Sequence, residues 1–386
     1  MELPAIRTVT IGIGQPHPVA PKLIEEAAGH ARRAEEMYRD AGYEVQTVRL
    51  TTRPVFEDLA DWPAADVFAY AGELQAALDS AGITYLSLGP APAYRPDFPL
   101  DRLGPIAELL AAHPAVSCSV QLGTATHGVR AEAVAPTVAI TRDLSTSTAG
   151  GVGNFRFAAL ANVGPGHPFF PASYHAGPDA LTVGTQGAGV VAAALAGLDP
   201  VPAAVTAAAR AALTEAATPV VRLAKRAASR ARLRFGGIDL SPAPAGPVSI
   251  GAAFAAVLGR FGAPGTLAVA AALTEALRTT RVPRCGYNGL MLPVLEDEVL
   301  AAEWEAGRIG AAELLSYSAV CGTGLDTVPL PGDTPVADIA GMFLDVATLA
   351  VRLRKPLSAR LFPVPGKRSG DRTAFGSPYL VDITLP

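Results

Sequence analysis

The stretch "IRTVTIGIG" (Ile6–Gly14) is followed by "KLIEEAAGHARRAEEMYRDAG" (Lys22–Gly42), and this pair decides the fold class. The first segment is short, apolar and β-branched, which predicts a buried strand. The second has apolar residues at helical spacing and ends at a glycine, which predicts a helix. The order then repeats with a strand at "YEVQTVRLTTRP" (Tyr43–Pro54), a helix over 65–81 and a strand at "ITYLSLGPA" (Ile83–Ala91). Such alternation is typical of an α/β fold with a parallel sheet.

The alternation continues along the chain without an interdomain linker. "AVSCSVQLG" (Ala115–Gly123) and "PLSARLFPVP" (Pro356–Pro365) predict further strands, and "YLVDITLP" (Tyr379–Pro386) is predicted to be the last strand. A chain of 386 residues can bury one large core. The sequence therefore predicts a single α/β domain over residues 1–386.

Composition narrows the class of protein. Half of the residues are hydrophobic, 17% are charged and the net charge is −4, which is typical of a globular protein. No basic stripe interleaved with aromatic residues is present, so we expect no nucleic-acid partner. The N-terminal stretch does not resemble a signal peptide, and the apolar run "TLAVAAALTEAL" is too short to cross a bilayer. Three cysteines without a C-x-x-C pair fit a reducing compartment, so we expect a cytoplasmic protein without a membrane partner.

The segment "YSAVCGTGLDTVPLPGDT" (Tyr317–Thr334) contains a thiol and carboxylates in a loop that prolines and glycines restrain. Cys321 follows a predicted helix, whose C-terminal dipole disfavours a thiolate, so a neutral thiol is expected there. Asp326 could orient or deprotonate a substrate. The alternative for Cys321 is a buried, unreactive side chain.

Histidines and aromatic residues are concentrated in "HPFFPASYH" (His167–His175). His175 is a candidate general base because imidazole titrates near neutral pH. A third ligand at metal-binding spacing is missing from this segment, so it does not predict a metal site. A structural role for His175 is the alternative.

The loop "PVPGKRSGDR" (Pro363–Arg372) places three cations around turn glycines. Lys367 and Arg372 could bind a carboxylate or phosphate group of a substrate. The alternative is a solvated surface loop in which Asp371 neutralises one of the cations.

Two further patterns have competing interpretations. "GTQGAGV" (Gly184–Val190) contains glycines in the reverse order of the dinucleotide-binding motif, so a tight packing turn is the favoured interpretation. Glu296 and Asp297 could form an acid–base or metal-binding pair, or a charged first turn for the helix that follows.

Four long blocks closely resemble the domain-of-unknown-function 711 family, whose members are often labelled "PFL family protein". These blocks are "NFRFAALANVGPGHPFFPASYH" (Asn154–His175), "CGYNGLMLPVLED" (Cys285–Asp297), "SAVCGTGLDTVPLPGDT" (Ser318–Thr334) and "KPLSARLFPVPGKRSGDR" (Lys355–Arg372). The resemblance implies a fold like that of the glycyl-radical enzymes, a single barrel of about ten strands surrounded by helices. It also implies a homodimer and, in some bacteria, an ACT-domain partner protein. It implies no particular reaction.

Radical chemistry is not expected despite this resemblance. The glycyl-radical enzymes carry a C-terminal R-V-x-G-Y type segment. The nearest stretch here is "RTAFGS" (Arg372–Ser377), which has an additional residue and no tyrosine after the glycine.

We therefore expect a cofactor-independent enzyme that performs acid–base chemistry of the lyase or isomerase type on a small anionic or polar metabolite. This class of reaction includes aldol-type bond formation and cyclisation. The bias towards Ala, Arg, Gly and Pro indicates a GC-rich genome, which is compatible with a role in specialised metabolism. The candidate catalytic residues are Cys321, Asp326 and His175. The candidate substrate-binding residues are Asn154, Arg156, Tyr174, Lys367 and Arg372.

Two alternatives stay open at this point. One is a dimeric regulator that binds a metabolite and works with an ACT-domain protein. The other is an enzyme dependent on a divalent metal, which would use the oxygen ligands of Asp326, Glu296 or Asp297.

Overall fold

The computed structural model describes residues 3–386, which form a sheet of ten strands and twelve α-helices. The strands are β1 (Ile6–Gly12), β2 (Val48–Thr51), β3 (Leu86–Ala91), β4 (Val116–Thr124), β5 (Gly128–Val129), β6 (Phe157–Ala161), β7 (Ala180–Thr185), β8 (Arg234–Asp239), β9 (Gly324–Pro331) and β10 (Leu357–Val364). The helices are α1 (Pro21–Asp40), α2 (Val55–Asp58), α3 (Ala64–Ala81), α4 (Ile106–Ala112), α5 (Val134–Ser147), α6 (Ala188–Leu195), α7 (Pro202–Ala231), α8 (Ile250–Leu258), α9 (Thr266–Thr279), α10 (Glu298–Glu305), α11 (Ala311–Val320) and α12 (Val336–Leu353). The predicted α/β class is confirmed.

The sheet consists of two sets of parallel strands that run in opposite directions. Its order is β8-β7-β1-β2-β3-β4-β6-β10-β9, with β5 paired to β4. From β1 to β6 the neighbours in this order are parallel, as the strand–helix alternation predicts. The direction reverses between β1 and β7 and again between β6 and β10, where the pairs are antiparallel. Alternation alone could not show these reversals, because they join strands far apart in the sequence.

The sheet is open, so the structure does not confirm the closed barrel that the sequence predicts. Its edge strands β8 and β9 do not pair with each other. Residues 283–297 run between them and pair with these two strands only through isolated parallel bridges, from Arg284 to Ile238 of β8 and from Pro293 to Asp326 of β9. Two prolines and two glycines in this segment explain why no continuous ladder forms, since proline cannot donate a ladder hydrogen bond and glycine weakens a strand.

Helices cover the sheet because their apolar faces match its buried strands. In α1 the buried residues recur at helical spacing and include Ile24, Ala28 and Tyr38. The Tyr38 hydroxyl donates a 2.8 Å hydrogen bond to the Val220 carbonyl oxygen of α7, which joins two helices of the outer layer. The main cluster of buried apolar residues extends from Ile6 to Leu385.

The strand predicted over Tyr379–Pro386 is wrong: within these residues only Thr384 forms a bridge, to Arg372, and the Val381 amide donates instead to the Leu295 carbonyl oxygen. Among residues 3–386, no helix combines the length and apolarity that a membrane crossing requires.

Candidate functional site

A cavity of about 60 Å³ lies against the sheet and is lined by residues from five of its strands. This space corresponds to roughly four to six water molecules, which suits a metabolite of a few carbon atoms. We call it the arginine cavity after its charged lining, which consists of Arg7, Arg49, Arg156, Arg360, Glu296 and Asp326.

Irregular strand pairing brings three of these side chains to the cavity. The register between β1 and β7 shifts around Arg7, and the register between β10 and β9 shifts around Arg360. Opposite Arg360 the partner strand contributes both Asp326 and Thr327. Thr327 has a φ of 44°, which is rare for a β-branched residue. Bulges re-aim side chains and are common beside active sites, so the backbone here is shaped for the cavity rather than for a regular ladder.

Four of the charged residues form one buried ionic chain. Arg7 donates through Nη2 to Glu296 Oε2. The other carboxylate oxygen, Oε1, accepts a 2.7 Å hydrogen bond from Arg360 Nη2. Arg360 then donates through Nε to Asp326 Oδ1 at 2.5 Å. Each carboxylate is therefore paired with a guanidinium, which is the condition for keeping a charge inside a protein.

The ion pairs of this chain favour the charged forms of Glu296 and Arg360. Burial would raise the pKa of Glu296, but the guanidinium groups of Arg360 and Arg7 outweigh it and lower that pKa. Burial would likewise lower the pKa of Arg360, but the carboxylates of Asp326 and Glu296 raise it. Glu296 is 3% exposed, so the pairing acts with little screening by water.

Arg49 differs from the arginines of the ionic chain because it has no carboxylate partner. Its side chain is 8% exposed, and its guanidinium lies 5.2 Å from the ring centres of both Tyr85 and Phe170. Nε donates to Thr47 Oγ1, and none of the carboxylates within residues 3–386 lies within 4.0 Å. Burial, together with repulsion by Arg7, lowers the pKa of Arg49 to about 10. Stacking on aromatic rings holds the cation in place but does not neutralise it.

Arg156 is a second cavity arginine whose charge is not balanced by a carboxylate in the part of the chain described. Nη1 donates to the carbonyl oxygens of His113 and Val116, and burial lowers the pKa of the guanidinium to about 10. Four arginines against two carboxylates give the cavity a net charge of +2. An anion is therefore the ligand that its electrostatics favour.

Two of the predicted site residues, Asp326 and Arg156, come together at this cavity. Asn154, predicted beside Arg156, is buried outside it, and its amide donates to the carbonyl oxygens of Thr141 and Gly151.

Cys321, His175 and Tyr174 do not line the cavity. The Cys321 thiol donates to the Tyr317 carbonyl oxygen at 3.0 Å, and burial raises its pKa to about 12. His175 bonds through Nε2 to the Pro178 carbonyl oxygen, and burial lowers its pKa. The Tyr174 hydroxyl donates to the Val163 carbonyl oxygen. A substrate role for these residues stays a prediction.

The predicted cationic loop also lies away from the cavity. Arg372 is exposed, donates to the Asp382 carbonyl oxygen and lies 3.7 Å from the Glu305 carboxylate. Lys367 is partly exposed, and its carbonyl oxygen accepts from the Gly332 amide. The Asp371 carboxylate accepts from the Arg368 amide.

The pair Glu296–Asp297 divides into two roles. Glu296 belongs to the ionic chain, whereas the Asp297 carboxylate accepts from Ser249 Oγ and from the first amides of α8 and α10. Asp297 is thus a helix cap, as the structural alternative proposed. Groups of three or more His, Cys, Asp or Glu side chains suited to a metal ion are not found within residues 3–386.

Sequence reasoning missed Arg7, Arg49 and Arg360. Each is the only charged residue in its strand, within "IRTVTIG", "VRLT" and "LSARLFPV". An arginine alone in a buried strand carries a large desolvation cost, and that pattern could have identified them.

Comparison with known proteins places the chain in a family. It is 32% identical to a "UPF0210 protein" of Pyrobaculum arsenaticum, over 97% of this chain and 88% of the relative. It is 29% identical to a "UPF0210 protein" of Desulforudis audaxviator, over 96% and 88%. It is 28% identical to a "UPF0210 protein" of Clostridium acetobutylicum, over 99% and 90%. The sequence model of the family "Uncharacterised ACR (DUF711)" matches residues 1–376, which confirms the predicted family. The chain belongs to the DUF711 family.

Proposed function

We propose that this chain is an enzyme that binds a small, doubly charged organic anion in the arginine cavity and moves a proton on it, in chemistry of the lyase or isomerase type. The observation that carries the proposal is Arg49, a buried guanidinium without a carboxylate partner among residues 3–386. Leaving such a charge uncompensated costs free energy that a bound anion would recover.

The charges of the cavity support a dianion in particular. The carboxylates of Glu296 and Asp326 already pair with Arg7 and Arg360, so they offset only half of the positive charge. Arg49 and Arg156 remain, and a ligand with two negative charges would balance them. Guanidinium groups bind carboxylate and phosphate oxygens with two parallel hydrogen bonds, which favours both classes of ligand.

Asp326 is the group best suited to move a proton. Arg360 engages its Oδ1 atom, and no donor to Oδ2 is found within residues 3–386, so this oxygen can accept a proton from a ligand that fills the cavity. The neighbouring guanidinium groups would stabilise negative charge that develops on the ligand when the proton leaves. This assignment keeps one of the three catalytic candidates predicted from the sequence.

The test combines binding with isotope exchange. Wild type is mixed with malonate, succinate, malate or inorganic phosphate, and its thermal melting is recorded. We expect at least one of these anions to raise the melting temperature, and we expect Arg49→Met to abolish the shift because the unpaired cation is gone. Arg222→Met, which changes an exposed arginine of α7, is the matched control and should behave like wild type.

Proton transfer is followed for the bound acid in D2O by loss of its C–H signals from the proton NMR spectrum. We expect wild type to accelerate this exchange and Asp326→Asn to bind the acid without exchanging it. Unchanged melting with every anion would contradict the binding step. Binding without exchange would favour the alternative of a metabolite-binding regulator that works with an ACT-domain protein.

The proposal also covers the shape of the fold, the oligomeric state and the dependence on a metal. Residues 283–297 run parallel to both sheet edges, which supports a closed barrel of the glycyl-radical type in which this segment replaces a regular strand. We also propose that the protein is a cytoplasmic homodimer, for which light scattering would give twice the mass of one chain. Dependence on a divalent metal would appear as loss of isotope exchange after treatment with a chelator.

A further inference from the structure

Tyr287 lines the arginine cavity, and its hydroxyl group is buried. The residue lines the cavity, and its oxygen is buried without a hydrogen bond of acceptable geometry to any residue from 3 to 386. Buried hydroxyl groups nearly always have a partner, so this one is an exception that requires a reason. The Ser358 hydroxyl is near enough to interact with the phenol, but it donates its own proton to the Thr323 carbonyl oxygen at 3.0 Å, so it offers the phenol no donor.

The backbone amides of Tyr287 and Asn288 donate hydrogen bonds to a single carboxylate, that of Asp239. Asp239 Oδ2 accepts from the Tyr287 amide at 2.7 Å, and Oδ1 accepts from the Asn288 amide at 3.1 Å. Asn288 has a φ of 44°, and its side chain donates to the Cys285 carbonyl oxygen. A Cβ atom at Gly286 would come within 2.1 Å of Asp239 Oδ2, so only glycine fits there. The turn is therefore fixed by the buried end of β8.

Asp239 has further donors, and all of them reinforce the same turn. Ser241 donates to Oδ1 through both its amide and its hydroxyl, and the Ser241 hydroxyl in turn accepts from the Gly289 amide. The ring of His167 packs edge-on against the ring of Tyr287, with 4.5 Å between centres. Burial lowers the pKa of His167 to about 4, so this neighbour is neutral. These contacts hold the phenol in one orientation.

Tyr287 differs chemically from the arginines that surround the cavity. Burial raises the pKa of its hydroxyl, so the group stays protonated and uncharged and can donate a hydrogen bond. The charges of Asp326 and Arg360 act on the phenol, whereas the Arg49 guanidinium lies 5.2 Å from the ring centres of Tyr85 and Phe170. The cavity therefore offers cations for anionic groups and, at Tyr287, a neutral donor without a partner for a further oxygen atom.

We propose that Tyr287 donates a hydrogen bond to an uncharged oxygen of the ligand, that Asp239 is the residue that positions it, and that the ligand is consequently a small dianionic hydroxy or oxo acid. This inference rests on the proposed function of the arginine cavity and narrows its substrate class. A dicarboxylate without the extra oxygen satisfies the arginines but leaves the phenol without a partner.

The experiment compares two acids that share a carbon skeleton. Malonate and hydroxymalonate differ by a single hydroxyl group, and their dissociation constants are measured by calorimetry. We expect wild type to bind hydroxymalonate about tenfold more tightly than malonate, the scale of one buried hydrogen bond. Tyr287→Phe should bring that ratio close to one by weakening the binding of hydroxymalonate, while malonate is still bound. Tyr94→Phe, a tyrosine that packs on His127 away from the cavity, should keep the wild-type ratio.

Asp239→Asn tests the positioning role. It should lower the hydroxymalonate-to-malonate preference while malonate still binds, a readout that a purely structural residue would not move. This variant is interpreted only if its melting curve shows a folded protein, and Tyr287→Phe decides the inference in either case. An unchanged ratio in Tyr287→Phe with intact malonate binding would overturn this inference alone. Binding of neither acid by wild type would overturn it together with the proposed function.

Discussion

Arg360 and Asp326, on the adjacent strands β10 and β9, are joined by a 2.5 Å hydrogen bond between Nε and Oδ1. The same guanidinium holds Glu296 through Nη2, so a single arginine serves two buried carboxylates. Replacing it would leave both without their shared partner. Breaking a buried ion pair from one side typically costs ~3–5 kcal/mol, because the remaining charge stays in the interior.

We therefore predict that Arg360→Met lowers the free energy of unfolding by about 3–5 kcal/mol. The measurement is urea denaturation followed by circular dichroism. Arg352→Met, which changes an exposed arginine in the last turn of α12, is the control and should stay within about 0.5 kcal/mol of wild type. A loss below about 1 kcal/mol for Arg360→Met would mean that water or a rearranged side chain replaces its contacts.

Stability should also fall in mild acid because of a buried histidine. His17 bonds to the Tyr70 hydroxyl at 2.8 Å, and burial lowers its pKa to about 4. In the unfolded chain the imidazole titrates near pH 6.5, so between pH 6.5 and 4 the unfolded state binds the proton more readily. Stability contributed by the neutral native histidine is complete above pH 6.5 and is lost as the pH falls through this window.

We predict that a shift from pH 7 to pH 5 costs wild type roughly 2 kcal/mol through His17. Over the same pH interval His17→Gln should lose about 2 kcal/mol less stability than wild type, because it has no imidazole to protonate. At pH 7 this variant should be less stable than wild type. Glu296, whose pKa is lowered, contributes in the same direction but only below about pH 4.5. Denaturant midpoints of both proteins at the two pH values provide the comparison. Parallel losses in the two proteins would show that His17 does not titrate in this range.

The sequence predicted the strands better than their arrangement. Val, Ile and Thr in "IRTVTIGIG" were sufficient to predict β1, because a buried strand needs just such residues. The antiparallel contact of β1 with β7 depends on a register between residues far apart, such as Thr10 with Thr182, and no local pattern encodes it. The same limit applies to the cavity. Asp326 was predicted to lie in a restrained loop, which is wrong because Gly324–Pro331 form strand β9, and its partner Arg360 lies within an apolar strand.

Substitutions in the cationic loop can now discriminate between two locations for the ligand. The sequence predicts that Lys367→Ala and Arg372→Ala each weaken ligand binding by about 1.5–3 kcal/mol, the loss of a charge-assisted hydrogen bond. If the ligand lies in the arginine cavity, both variants should bind malonate like wild type, since neither side chain lines that cavity. Calorimetric titration of the two variants decides the question. Weakened malonate binding with an unchanged thermal melt would show that the ligand binds at the cationic loop and not in the arginine cavity.

The sharpest expectation concerns Arg49, where stability and function should oppose each other. Its guanidinium is buried, stacks on two aromatic rings and has no carboxylate within 4.0 Å among residues 3–386. Methionine is also long and flexible, packs well against aromatic rings and carries no charge. We predict that Arg49→Met raises the free energy of unfolding by about 1 kcal/mol while it abolishes malonate binding, because functional sites commonly retain destabilising groups.

Urea denaturation without ligand and calorimetry with malonate, performed on the same preparations, provide the two measurements. Arg222→Met should change neither quantity, and it controls for the general effect of removing an arginine. A clear loss of stability in Arg49→Met would show that stacking on Tyr85 and Phe170 outweighs desolvation of the charge. The unpaired guanidinium would then be a structural element of the sheet, and the case for an anion beside it would lose its main support.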